Sequence, residues 1–260
     1  MILEKLAEHA AKRVEAAKAR VSLPDIKDTA LALPRGAFTF ETALRREGLS
    51  FICEVKRASP SKGLIAPEFP YIQIAREYEA AGADCVSCLT EPKWFLGSDK
   101  IFSDIRKNIA IPMLRKDFTV DEYQLYEAKC LGADAVLLIC SLLSTGTIAK
   151  YLEICDDLGL SAVVEAHNVQ EIGSAVSAGA KIIGVNNRNL KDFSVDIGNA
   201  ARLRALVPDK TLFIAESGIQ DTDDVAALCA YRVDAVLIGE TMMRACDKKA
   251  LLSSFREASR

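Results

Sequence analysis

Lysine, glutamate and amide side chains stand at the ends of short apolar runs along this chain. Glu54 and Lys56 close the run that begins at Phe51. They are two residues apart, so on an extended backbone they point the same way. Lys116 closes the run through Leu114, Glu165 the run through Val164, and Asn186 and Arg188 the run through Val185. Glu216-Ser217-Gly218 and Gly239-Glu240 close the last two. One polar group at the end of an apolar run is ordinarily a solvated strand end. Several runs delivering such groups to one rim make an acid–base pocket. There a lysine near another cation loses its proton more easily and a carboxylate near a lysine is held ionised. An acid and a base then coexist near neutral pH.

Three further segments suit a phosphate. Gly218 and Gly239 let backbone N–H groups approach an anion, and a short helix expected from about Thr241 aims its positive end there. Ser59-Pro60-Ser61-Lys62-Gly63 adds hydroxyls and a basic loop after Lys56. The two histidines, His9 and His167, do not make a metal site of imidazole type. A Ser-His-Asp triad would need His167 beside Ser217 with an orienting carboxylate, which spacing does not show. His167 is read as a structural loop residue.

Groups on one rim need a scaffold that brings strand ends together. Apolar runs occupy 51–55, 85–89, 111–114, 135–139, 162–164, 182–185, 211–215 and 235–238. They are short and nearly continuous in hydrophobicity, as strands covered on both faces are. Amphipathic stretches such as 71–81, 122–131 and 148–158 lie between them. Ala81-Gly82-Ala83-Asp84, Leu131-Gly132-Ala133-Asp134, Ala178-Gly179-Ala180-Lys181 and Val233-Asp234 form a weak repeat before alternate strands, with glycine past a helix end turning the chain into the next strand. Eight β–α units with short connections predict an α/β fold, a (β/α)8 barrel, over residues 50–260. The glycine fingerprint of a dinucleotide-binding open sheet is absent after Val55. Residues 1–49 are expected to be an N-terminal helical extension: a helix to about Arg20, a loop around Pro24 and Pro34, and a short helix at 40–47. They would serve as lid or plug, or only as packing, with the whole chain one domain.

Bulk composition agrees. The chain has 260 residues, half of them hydrophobic and 27% charged, with a net charge of −3. A nucleic-acid partner would call for a basic excess, and no run approaches the roughly 20 apolar residues of a membrane helix. Of eight cysteines, Cys53, Cys85, Cys88 and Cys140 fall in apolar runs. Cys85 and Cys88 form a C-x-x-C, but on a strand they point to opposite faces, so neither redox nor zinc chemistry is expected. With no secretory segment, a reducing cytoplasm is expected.

Taken together, the motifs resemble those of indole-3-glycerol-phosphate synthases of tryptophan biosynthesis over nearly the whole chain. The resemblance begins at Ile2-Leu3-Glu4-Lys5, and its most specific part is the segment 54–63, EVKRASPSKG. It continues through Leu89-Thr90-Glu91, Phe95 to Ser98, Arg115-Lys116-Asp117-Phe118, Gly132 to Ile139, Glu165-Ala166-His167, Gly184-Val185-Asn186-Asn187-Arg188 and Ala215-Glu216-Ser217-Gly218-Ile219. Asn189, where many relatives carry aspartate, and Trp94-Phe95-Leu96 depart from the family pattern.

The resemblance implies ring closure, decarboxylation and dehydration of 1-(2-carboxyphenylamino)-1-deoxyribulose 5-phosphate, with no metal or organic cofactor. It implies Lys116 as general acid, and Glu165 and Lys56 for charge stabilisation and the later dehydration. Glu54 would hold Lys56 and the sugar hydroxyls, Asn186 and Arg188 would position hydroxyl and carboxylate, and Ser217 would bind a substrate group. Ser59, Gly218, Gly239 and the Glu240 backbone would surround the phosphate. Phe95, Phe118, Leu137 and Phe193 would wall the aromatic ring. The expected partner is this small phosphorylated molecule, bound by a monomer. Rival readings are a phosphoribosylanthranilate isomerase, which would want a cysteine/aspartate pair, a Schiff-base aldolase acting through Lys116 or Lys56, and a non-catalytic phosphate-binding barrel.

Overall fold

The apolar runs become strands buried on both faces. The computed structural model describes residues 2–189 and 193–260. Its barrel strands are β1 (Ser50–Val55), β2 (Cys85–Leu89), β3 (Met113–Lys116), β4 (Ala135–Ile139), β5 (Ser161–Ala166), β6 (Ile182–Asn186), β7 (Leu212–Glu216) and β8 (Ala235–Ile238). All pair in parallel and in chain order, and β8 closes onto β1 with Ser50 beside Ala235. Helices α4 (Tyr71–Ala81), α5 (Asp99–Arg106), α6 (Tyr123–Cys130), α7 (Thr145–Leu158), α8 (Val169–Ser177), α9 (Gly198–Arg204) and α10 (Thr222–Ala230) connect the strands. Helices α11 (Glu240–Arg244) and α12 (Lys248–Ala258) follow β8. The fold is a (β/α)8 barrel.

Continuous hydrophobicity serves two compartments. Ile52, Leu114, Leu137, Val163, Ile214 and Leu237 pack together inside the barrel. Their neighbours Phe51, Met113, Val136, Val164, Phe213 and Val236 pack against the helices. Alternation therefore sends Glu54, Lys116, Glu165, Asn186 and Glu216 inward in register with the interior residues two places before them. Cys85 belongs to the interior and Cys88 to the helix-facing layer, as the pleat requires. All eight cysteines are free, and Cys140, expected in a strand, sits half-buried one residue past β4.

Strand limits differ from the apolar runs at both ends. β3 starts at Met113 rather than residue 111, because Pro112 has no N–H and contributes only its carbonyl, to Val86 N at 2.9 Å. β3, β5, β6 and β7 run on through Lys116, Ala166, Asn186 and Glu216, because the backbone ladder is indifferent to the side chain it carries.

The weak sequence repeat has a structural cause. Gly82, Gly132 and Gly179 adopt left-handed φ of 93°, 83° and 89° at helix ends. After Gly82 and Gly132 an aspartate follows two residues later and reaches back to the strand before; Lys181 takes that place after Gly179, and Asp234 follows Arg232, which is itself left-handed at φ 56°. Asp84 Oδ2 accepts the Phe51 N–H at 2.8 Å, Asp134 Oδ2 that of Met113 at 2.8 Å, and Asp234 Oδ2 that of Phe213 at 2.7 Å. Each satisfies a donor at the base of the barrel that the parallel ladder leaves over.

The N-terminal segment covers both barrel ends. Helix α1 (Ile2–Lys18) lies at the carboxyl ends of the strands. There His9 Nδ1 is 3.0 Å from Glu91, Arg13 pairs with Asp117 at 2.6 and 3.0 Å, and Lys18 with Asp121 at 2.7 Å. Helix α2 (Leu23–Ala32) occupies the stretch expected as loop and packs on α6. Its Pro24 lies in the first turn, where no N–H is needed, and Ser22 Oγ caps Asp25 N at 3.3 Å. Helix α3 (Thr39–Leu44) closes the other end: Phe40 and Leu44 enter the interior cluster and the Glu41 N–H donates to Ser161 Oγ at 3.1 Å. Among the described residues no helix is long and apolar enough to cross a membrane.

Candidate active site

A cavity of about 710 Å³ opens at the carboxyl ends of the strands. Lys116 stands at its floor, at the end of β3, between two carboxylates. Its Nζ lies 2.7 Å from Glu216 Oε2 and 3.3 Å from Glu165 Oε2. Burial alone would push the ammonium pKa down. Glu216 and Glu165 outweigh that and raise it, so Lys116 is charged at neutral pH.

The two carboxylates are driven apart. Burial raises Glu165, but Lys116 and then His167 pull it below the usual carboxylate range, and the Asn186 amide adds a hydrogen bond. Glu216 is 1% exposed, and burial with Glu165 nearby outweighs Lys116, pushing it up to about 7. One of the pair is therefore held ionised and the other carries a proton near neutrality. Both pack closely because of a glycine. A Cβ at Gly184, beside Glu165 in the ladder, would collide with Glu216 Oε1.

On the β1 side Lys56 Nζ is 2.6 Å from Glu54 Oε1, confirming the shared face expected from their spacing. Gly239 performs for this pair what Gly184 does for Glu216: a side chain there would strike Glu54 and Lys56. Lys56, Ser59, Gly218, Gly239 and Glu240 meet at one end of the cavity. The Glu240 carboxylate turns to cations, 3.5 Å from Lys62 Nζ and 3.1 Å from Arg244 Nε. Ser217 adopts a left-handed φ of 68°, at a cost of about 1–2 kcal/mol. Asn187, 3% exposed, holds that turn: its Nδ2 donates to Ser217 O at 3.1 Å and its Oδ1 accepts from Ala200 N at 3.1 Å.

The opposite end is apolar. Phe95 and Phe118 lie with ring centroids 6.0 Å apart, facing Leu137, and Ile2 and Leu6 of α1 roof them. Glu91 shapes this wall without entering it, accepting the N–H groups of Lys93, Trp94 and Phe95 at 2.7 to 3.1 Å. Arg188 and Phe193 close the β6 side, with Arg188 Nη1 donating to Phe193 O at 3.1 Å, and Asn186 Oδ1 accepts the Arg188 N–H at 3.0 Å.

Every residue expected at the site lines this one cavity: Glu54, Lys56, Ser59, Phe95, Lys116, Phe118, Leu137, Glu165, Asn186, Arg188, Phe193, Ser217, Gly218, Gly239 and Glu240. Sequence reasoning placed Glu216 on the rim without a part in the chemistry, and gave no role to Asn187, Ile2 or Leu6. Glu216 had a signal, its place two residues past Ile214 on an inward face. Ile2 and Leu6 had none, since nothing in a helix's own pattern names what it will cover. Among the described residues no three His, Cys, Asp or Glu side chains gather as a metal ion would need. Chemically, the arrangement offers a charged donor between carboxylates of unequal basicity, an anion-binding end and an apolar, aromatic-lined slot.

Comparison with known proteins agrees with this arrangement. Residues 3–255 match the family model described as indole-3-glycerol phosphate synthase. The indole-3-glycerol phosphate synthase of Ruminiclostridium cellulolyticum is 54% identical over 98% of this chain and 99% of its own length. Those of Endomicrobium trichonymphae and Thermoanaerobacter pseudethanolicus are 51% identical, over 94% of this chain and 95% of the relative, and 41% identical, over 98% and 97%. Among solved structures, 3-hexulose-6-phosphate synthase from Salmonella typhimurium superposes with a TM-score of 0.66 at 14% identity, over 81% of this chain and 98% of that one. Thiamine phosphate pyrophosphorylase from Pyrococcus furiosus gives 0.62 at 17%, over 85% and 97%. At such identities these two share the barrel alone. The relatives matched along their full length do more, and with the cavity they place this chain in the indole-3-glycerol phosphate synthase family.

Proposed function

We propose that this chain converts 1-(2-carboxyphenylamino)-1-deoxyribulose 5-phosphate to indole-3-glycerol phosphate, CO₂ and water. The observation that carries the reading is Lys116, held as an ammonium between Glu165 and Glu216 at the floor of a cavity polar at one end and aromatic at the other. The phosphate would sit among Ser59, Gly218, Gly239 and the Glu240 backbone, and the aromatic ring among Phe95, Phe118, Leu137 and Phe193. Arg188 would hold the ring carboxylate, with Asn186 and Ser217 on the substrate's polar groups.

In this reading the ring carbon bearing the carboxylate attacks the ketone carbon. Lys116 gives its proton to the ketone oxygen as that carbon–carbon bond forms. The C–carboxylate bond then breaks, CO₂ leaves, and its electron pair restores the aromatic ring. The new hydroxyl departs as water with a proton from Lys56, which Glu54 holds in place. Glu165, kept ionised, takes the proton from the adjacent carbon and the indole double bond forms. One proton is consumed overall.

Incubation with this substrate in the presence of EDTA is expected to produce indole fluorescence. Lys116→Met should reduce turnover by roughly 10²–10⁴-fold, the usual contribution of a general acid, while substrate binding stays measurable. Near wild-type kcat in that variant would remove Lys116 from the role. A lysine locked as ammonium by two carboxylates is a poor amine nucleophile, so borohydride trapping is expected to yield no imine adduct. We further propose that residues 1–49 and 50–260 form one domain, acting as a cytoplasmic monomer.

A further inference from the structure

His167 stands one residue past β5 and does not line the cavity. Its ring lies between two carboxylates. Nδ1 is 3.1 Å from Glu171 Oε2 and Nε2 is 3.4 Å from Glu165 Oε1. Glu171 is fixed by other contacts in the first turn of α8: Oε2 accepts the His167 N–H at 2.8 Å and Oε1 the Asn168 amide at 3.0 Å. Asn199 of α9 donates to the His167 carbonyl at 3.3 Å. Nε2 is buried and, among the described residues, has no hydrogen-bond partner of good geometry. The group it faces is Glu165.

A neutral imidazole has one donor and one acceptor nitrogen, whereas ionised carboxylates only accept. With Glu171 on one ring nitrogen and Glu165 on the other, a neutral ring would turn a lone pair toward a carboxylate oxygen. The imidazolium presents a donor to each. The charged groups around the ring are Glu165 from β5, Glu171 from α8 and Glu216 from β7, with Lys116 of β3 beyond Glu165. Burial lowers the imidazole pKa, but these three carboxylates overcome it and raise it.

We propose that His167 is a positioning residue: a half-buried imidazolium, held by Glu171, that flanks Glu165 opposite Lys116 and fixes it as the ionised base. This rests on the role given to Glu165 above. Its consequence is a division of labour. Lys116 is shared with Glu216 and must give up its proton during the reaction, so it cannot be the constant counter-charge for Glu165. His167 supplies a cation that takes no part in bond making, and the pocket's exchangeable proton is left to Glu216.

The chain has two histidines, so ¹⁵N-histidine labelling with His9→Gln as the assignment control isolates the His167 signals. In the folded wild-type chain His167 should titrate above the ordinary value of about 6.5, and in Glu171→Gln it should fall by about one unit. In His167→Gln, loss of the cation should move the acidic limb of the kcat–pH profile upward by about one unit. KM should stay within about twofold, since the ring does not touch the cavity. A merely structural role would lower kcat equally at every pH and leave the limb in place, which would overturn the proposal. So would a neutral His167 at pH 6.5 in folded protein, whatever the activity. Absence of indole formation by the wild type would instead overturn the proposed function, and the imidazole titration would still decide the charge on His167.

Discussion

Lys116 is more useful as an acid in one protonation state of its neighbour than in the other. While Glu216 is ionised, the ammonium is clamped and its proton is held tightly. When Glu216 carries a proton, near its pKa of about 7, Lys116 faces one carboxylate fewer and donates more readily. Because the raised group must be protonated, activity above the acidic limb set by Glu165 is expected to fall as the pH rises through about 7. Glu216→Gln fixes the neutral form, so the alkaline limb of kcat/KM near 7 should disappear or move up. A limb unchanged in that variant would assign it to another group. This pairing is also where sequence reasoning stopped short. Spacing on a strand placed Glu54 with Lys56 and sent Lys116, Glu165 and Asn186 to one rim. It did not show that Lys116 leans across the barrel to Glu216, 100 residues away. Nor did it show His167 behind Glu165: the loop position was expected, but not that the half-buried ring lies between two glutamates.

Among the elements, α1 joins covering to chemistry. Its apolar face supplies Ile2 and Leu6 to the aromatic end of the cavity, and its polar face is bound to the loops after β2 and β3 through Glu91, Asp117 and Asp121. Asp117 directly follows Lys116. Burial raises its carboxyl, but Arg13 prevails and holds it below the ordinary value. Arg13→Met would leave a buried carboxylate without its main partner. The expected loss lies at the low end of about 3–5 kcal/mol because Arg13 is 24% exposed. It should be largest above about pH 4 and shrink as the pH falls through the lowered pKa, where Asp117 protonates in both states. Thermal melts against pH read this directly. Removing the chain through Arg20 should abolish most turnover and also lower the melting temperature, since two ion pairs and the His9–Glu91 hydrogen bond go with it. An unchanged melt would mean α1 is held loosely and serves only as a lid. The eight strands and most helices were legible because apolar periodicity is written locally. α2 was not, because two prolines suggested a loop, although one of them lies in a helical first turn with Ser22 as its cap.

For the whole molecule the barrel has two ends with different duties. Charged and glycine positions crowd the carboxyl end and spend stability on strain at Ser217 and on buried glutamates. The amino end collects capping aspartates and the α3 plug, whose contacts serve only to hold strands in place. The aspartate bonds also have a direction. Asp84 ties β2 to β1, Asp134 ties β4 to β3, and Asp234 ties β8 to β7, while among the described residues no such aspartate bond crosses from β4 to β5. Three of the four pairs β1–β2, β3–β4, β5–β6 and β7–β8 are thus sewn by an aspartate, and in the β5–β6 pair Lys181 takes that place. Two polypeptides divided between β4 and β5 keep all three stitches intact, so co-expressed halves should reassociate and regain indole-forming activity. Division between β3 and β4 parts Asp134 from Met113 and should not be rescued as well. Equal recovery from both cuts would show that the stitches do not organise assembly. Unequal recovery would make this enzyme separable into modules along lines that Asp84, Asp134 and Asp234 mark out.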